Sequence, residues 1–374
     1  GELPKLKLEK KYIRHEMFGE FHNPSSQADY PSDVPETVSI TVTIQDMTTT
    51  VTGSTNDTVL QILEKNGIAG MAVAVTDKTG IVFSECFGVE SVERPILKVE
   101  PETLFKIASI TKMTTGLVIM KLYEEGLIDL NAHPSKYLPY CKNLDSRLTL
   151  TNLLQHTSGL KDIAGVEQIA SKDIVPVEDA IKGIENEPLK FKPGTVEDYN
   201  NTNYILLGKI VESVAKMTLE EYYEKILFKA LDIKTAKCMH DGTKIDNLAK
   251  GYSLIDGKLV ECGYTNMTTI YSAGNLTGTI KDIQKLYEAE RELKFLKKET
   301  WQKMLTPNSI GRFACGLQVY VWNSELCYMS TGGHLGFRAL NRFLPKRDFN
   351  IIILSNSGFG DARADVSDKA YNMF

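Results

Sequence analysis

The sequence predicts an α+β fold: an antiparallel sheet built from N- and C-terminal strands, flanked by helices, with a helical subdomain inserted between its halves. Three observations carry this. Gly70–Thr76 and Gly80–Phe87 are β-rich runs separated by Asp77-Lys78, the pattern of a two-stranded hairpin. Gly316–Trp322, Leu326–Thr331, Phe337–Leu344 and Phe349–Ser355 are further short β-rich runs with turn residues between them. From about 131 to 250 the signals are mostly helical, punctuated by Pro134, Pro139, Pro176, Pro188 and Pro193. Strands at both ends with helices between them place the expected site in the cleft between two lobes.

Residues 1–36 mix charge, proline and serine without a sustained period and read as a tail or loose arm. Val38, Ile40, Val42 and Ile44 alternate with polar residues, as in a half-buried strand. Ser54 to Asn66 reads as a helix capped by Asn56 or Asp57, with Val59, Leu60, Ile62 and Leu63 facing the core. Residues 1–53 are therefore expected to be an extension, and 54–374 one domain whose helical lobe spans about 108–250. In the stretch that opens at Thr103, from Ala108 on, Met113, Leu117, Met120, Leu122 and Leu127 recur at roughly helical spacing and Gly126 is a stop signal. A last helix follows from about Ala362.

The totals exclude several functions. With 374 residues, 42% of them hydrophobic and 24% charged, the chain has the composition of a globular protein with a substantial core. A net charge of −5, with no basic patch beyond the first fifteen residues, argues against a nucleic-acid partner. No apolar run reaches the roughly eighteen residues of a membrane span, so any membrane link would run through a removed N-terminal anchor. The six cysteines (Cys86, Cys141, Cys238, Cys262, Cys315, Cys327) lack a C-x-x-C pair; Cys315 and Cys327 could pair across a hairpin, but buried free thiols are the favoured reading. The six histidines show no metal-ligand spacing, so neither a metal nor another cofactor is expected.

The chemistry is expected at Ser109 and Lys112. On a helix, residues three apart share a face about 5–6 Å apart at Cβ, so a serine hydroxyl and a lysine amine there can exchange a proton. Serine needs such a base to become a nucleophile. Spacing alone is weak, because Ser158/Lys161 and Ser213/Lys216 repeat it. Ser109 differs in its setting: it follows the apolar lead-in Leu104–Ala108 and opens a helix, where the dipole favours developing negative charge.

Beyond the spacing, Leu104–Lys112 (LFKIASITK) resembles the first motif of the serine β-lactamase and penicillin-binding-protein superfamily, class C branch. The run 148–160 (LTLTNLLQHTSGL) resembles that branch's structural signature, and 191–212 resembles its Tyr-x-Asn region. The likeness covers roughly residues 55–360 and implies a β-lactamase/transpeptidase-like fold. It also implies Ser109 as nucleophile, Lys112 and Tyr199 as the proton-transfer pair, and Asn201 as an amide reaching the substrate carbonyl or Lys112. Ser330-Thr331-Gly332 aligns with the family's third motif, with serine where a cation is usual. The backbone N–H groups of Ser109 and Gly333 would form the oxyanion hole. Ser330, Thr331, Gly332 and His334 would line the substrate site, and strand alternation points His334 the way of Ser330, where its ring either replaces the lost charge or caps the turn. Arg338 is a weaker anion contact.

The implied activity is acyl-enzyme hydrolysis of D-amino-acid peptides, small esters or amides, in an extracytoplasmic setting. Ser330 shifts the expectation away from an efficient class C-like β-lactamase. The alternatives are such a β-lactamase, an idle relative that binds cell-wall peptide, and acyl transfer to an acceptor other than water.

Overall fold

The computed structural model describes residues 51–374 apart from Asp361; the arm expected over 1–50 and its strand at Val38–Ile44 lie outside these. Six strands form one antiparallel sheet: β1 (Gly70–Asp77), β2 (Gly80–Gly88), β3 (Gln318–Trp322), β4 (Glu325–His334), β5 (Phe337–Leu344) and β6 (Phe349–Ser355). Their spatial order is β2-β1-β6-β5-β4-β3, so the N-terminal hairpin closes onto the last strand of the chain. Met71 opposes Ser355 and Thr76 opposes Asn350 in that junction. The antiparallel sheet expected from the two termini is borne out.

Each face of the sheet carries helices. On one face lie α1 (Val51–Asn66) and α5 (Ala362–Met373), packed on Val73, Val75, Leu340, Ile351 and Ile353. On the other lie α2 (Thr111–Glu124) and α4 (Ile280–Glu292), over Ala72, Ala74, Ala339, Ile352 and Leu354. Between β2 and β3 the chain builds the helical lobe, including α3 (Asn201–Ala215). Two small sheets also lie in this stretch: Phe105–Lys106, Leu276–Gly278 and Lys237–Cys238 form one, and Tyr252–Ile255 with Lys258–Glu261 forms the other. No described helix is long and apolar enough to cross a membrane.

Several local expectations need correction. The first helix begins at Val51, so Asn56 and Asp57 lie within it instead of capping it, and it reaches three residues into the span expected as an arm. Leu60, expected in the core, is 42% exposed because it falls off the stripe formed by Val59, Ile62 and Leu63. Leu127, beyond the end of α2, is likewise exposed. Cys315 and Cys327, by contrast, are buried free thiols, in line with the reading from the sequence.

The α4–sheet interface holds a buried carboxyl. Glu290 is 1% exposed, and neither carboxylate oxygen has a hydrogen-bond partner among the described residues. Burial pushes it up to about 8 from an ordinary 4.5. A raised carboxyl favours the folded state most below the unfolded value, and that advantage drains away as pH climbs through the folded one. Glu290→Gln should therefore flatten the pH dependence of stability. Urea unfolding should show wild type losing ~3 kcal/mol relative to the variant between pH 5 and pH 7. Parallel curves would contradict the buried-acid account.

Candidate active site

Two distant segments meet at the start of α2. Residues Ala108–Ile110 form a single 3-10 turn leading into it, and Ala108 has a left-handed φ of 50°. For a residue with a side chain that conformation is costly, and it turns the chain sharply just ahead of Ser109. Strand β4 packs on this turn through Gly332, where a Cβ would sit 2.2 Å from the Ile107 carbonyl oxygen. Only glycine permits that approach, which lays exposed Gly333 beside the Ser109 turn. Tyr199 comes from the loop before α3, which Asn200 caps by accepting a hydrogen bond from the Thr202 N–H at 2.8 Å.

The side chains form a connected set. Tyr199 Oη donates to Ser109 Oγ at 2.6 Å. Lys112 is buried, and its Nζ donates to Ser109 Oγ at 3.2 Å, Asn201 Oδ1 at 2.9 Å and the Ala273 carbonyl at 2.8 Å. Three acceptors match the three protons of an ammonium. Burial nevertheless pulls Lys112 down to about 7, against a smaller upward pull from Asp162. Burial pushes the Tyr199 phenol the other way, upward, with the Ser109 hydrogen bond opposing it. At neutral pH Tyr199 is thus a protonated donor, and Lys112 is the member of the pair poised to lose a proton.

Asn201 serves Lys112 through its amide oxygen, while its NH2 donates to Asp162 Oδ2 at 3.2 Å and the Ala164 carbonyl at 3.0 Å. Its donors are therefore engaged within the protein. Sequence reasoning did not single out Asp162, the Ala273 carbonyl or His156. The His156 ring stacks 4.7 Å from Tyr199 and its Nδ1 accepts from the Asn200 N–H at 3.1 Å. It lies inside the 148–160 run that carried the resemblance, so that run was the available signal for it.

The third-motif strand departs from expectation in its side chains. Ser330, Gly332 and His334 do share one side of β4, but that side packs inward. Ser330 is 4% exposed beside Tyr287 of α4, so its hydroxyl is not offered to a ligand; the half-buried Thr331 points to the opposite side. The His334 ring meets the Gly274 carbonyl through Nε2 at 2.7 Å, and burial lowers the imidazole to about 4. It is neutral near pH 7 and does not replace a missing cation. Arg338 donates to the carbonyls of His334 and Phe337 at 3.2 and 3.0 Å, tying the β4–β5 turn together.

Residues 55–371 match the family model described as Beta-lactamase. The chain belongs to the β-lactamase family. Within the family it is 28% identical to the putative penicillin-binding protein PbpX of Bacillus subtilis over 318 residues, 85% of this chain and 78% of that protein. The structure resembles the octameric penicillin-binding protein homologue of Pyrococcus abyssi, with TM-score 0.73 and 25% identity, covering 85% and 76% of the two chains. A D-amino acid amidase of Ochrobactrum anthropi shares the fold at TM-score 0.74 and 19% identity, over 86% and 98% of the chains. The fold is that of the β-lactamase and penicillin-binding-protein hydrolases.

Proposed function

We propose that the protein is a serine acyl-transfer hydrolase acting on D-amino-acid peptides, small amides or esters in an extracytoplasmic setting. The observation that carries this is the hydrogen-bonded chain Tyr199–Ser109–Lys112, where the Ser109 turn packs on β4. With Lys112 neutral, two of its hydrogens still serve Asn201 and Ala273, and its lone pair accepts the Ser109 proton. Ser109 Oγ then attacks the substrate carbonyl, and the oxyanion forms between the backbone N–H groups of Ser109 and Gly333. Tyr199 hands its proton to the leaving group and is reprotonated from Lys112, whose Nζ lies 4.7 Å from the phenol ring centroid. Water repeats the sequence in reverse and frees the acid.

Ser330 and His334 leave the third motif without a positive side chain, which favours peptidase, amidase or esterase activity over efficient β-lactam hydrolysis. The test is a substrate panel of nitrocefin, D-Ala-D-Ala peptides, D-amino-acid amides and p-nitrophenyl esters. Turnover of amides, peptides or esters well above that of nitrocefin is expected. Efficient nitrocefin hydrolysis would overturn the preference, and binding of cell-wall peptide with no turnover would overturn the enzyme reading. Tyr199→Phe sharpens the mechanism. It should slow amide hydrolysis by roughly 10²–10⁴-fold and p-nitrophenyl esters far less, because nitrophenolate leaves without an acid. Equal losses on both would assign Tyr199 to something other than leaving-group protonation.

A further inference from the structure

Lys106 stands three residues before Ser109, on the short strand that pairs with Leu276–Gly278. Its neighbour Phe105 is turned into the core, so alternation turns Lys106 to the other face. There its Nζ lies 5.6 Å from the ring centroid of Phe337, the first residue of β5, and its charge acts on His334 at the end of β4. The Lys106 side chain is half-buried. Among the described residues it makes neither a hydrogen bond nor an ion pair, and Cys262 and Asp241 act on it only at longer range. An ammonium partly withdrawn from water without a close counter-charge is costly, and one aromatic face recovers only part of that cost.

The other basic side chains bearing on His334 are engaged. Lys112 spends its three protons on Ser109, Asn201 and Ala273, and Arg338 spans the carbonyls of the turn. His334 itself is held by Gly274. Among these groups Lys106 is the one with donors uncommitted, and it adjoins the strand end that carries Gly333.

We infer that Lys106 receives an anionic group of the substrate, a carboxylate in the first instance, and so makes the site selective for negatively charged acyl donors or leaving groups. This rests on the reading of Ser109 as nucleophile and supplies the positive charge that Ser330 does not. The substrate supplies the counter-ion, so the ammonium becomes paired when the site is filled.

The test measures kcat/KM for two matched pairs on the full chain. One pair is p-nitrophenyl hexanoate and the mono-p-nitrophenyl ester of adipate, with the charge on the acyl side. The other is a D-Ala-D-Ala peptide with a free carboxylate and its carboxamide, with the charge on the leaving side. Lys106→Met should lower the anionic-to-neutral ratio about ten- to thirtyfold in at least one pair, which also identifies the side, and Lys106→Arg should restore most of it. Ratios within twofold of wild type in both pairs would overturn the inference. Turnover that survives Ser109→Ala undiminished would overturn the nucleophile reading instead, and this inference with it.

Discussion

Ser109→Ala is expected to lower kcat/KM on every substrate of the panel by about 10³-fold or more, with the fold unaltered. The hydroxyl is the shared acceptor of Tyr199 and Lys112, and its loss removes the atom on which both converge. Removing a nucleophile from a set that acts as a unit costs close to the whole catalytic gain. What survives would be attack by water between the oxyanion donors. Alanine is the residue at 108 already, and loss of one half-buried hydroxyl opens no cavity of consequence, so thermal unfolding should stay within a few degrees of wild type. A variant that keeps more than a tenth of wild-type turnover would remove Ser109 from the chemistry.

Lys112→Met is expected to cost about 10²–10⁴-fold and to abolish the acid limb of the pH profile. The sign follows from the buried amine. Lys112 titrates at about 7, and the base is its neutral form, so wild-type kcat/KM should rise with pH below 7 and level off above it. In the variant no amine remains to titrate, and residual activity should lack that limb. His156 and His334 do not supply a rival limb between pH 6 and 8, because burial lowers both imidazoles below that window. An unchanged limb in Lys112→Met would place the titrating base elsewhere.

Much of this architecture was legible in the sequence, for reasons that differ by element. The hairpin at residues 70–88 and the four C-terminal strands showed as short runs because β-rich segments between turn residues carry their own period. Ser109, Lys112 and Tyr199 could be named because each sits in a run with a distinctive local pattern, and the structure brings those three side chains together. What surrounds them was less readable. A backbone carbonyl such as that of Ala273 has no residue type to announce it, and Asp162 acts through a lysine fifty positions upstream. Strand alternation correctly grouped Ser330 with His334, but it could not say that their shared side would be pressed against α4 and the Ser109 turn. The balance of charge between Lys112 and Tyr199 depends on burial, which only the packed structure supplies.

The central claim is that Ser109 carries the acyl group, and covalent labelling reads it most directly. Incubation with a fluorophosphonate or penicillin probe, followed by peptide mass spectrometry, should find one adduct, on the peptide containing Ser109, absent from Ser109→Ala and slowed in Lys112→Met. No adduct at Ser109 after prolonged incubation with either probe, or equal labelling of the alanine variant, would contradict the account.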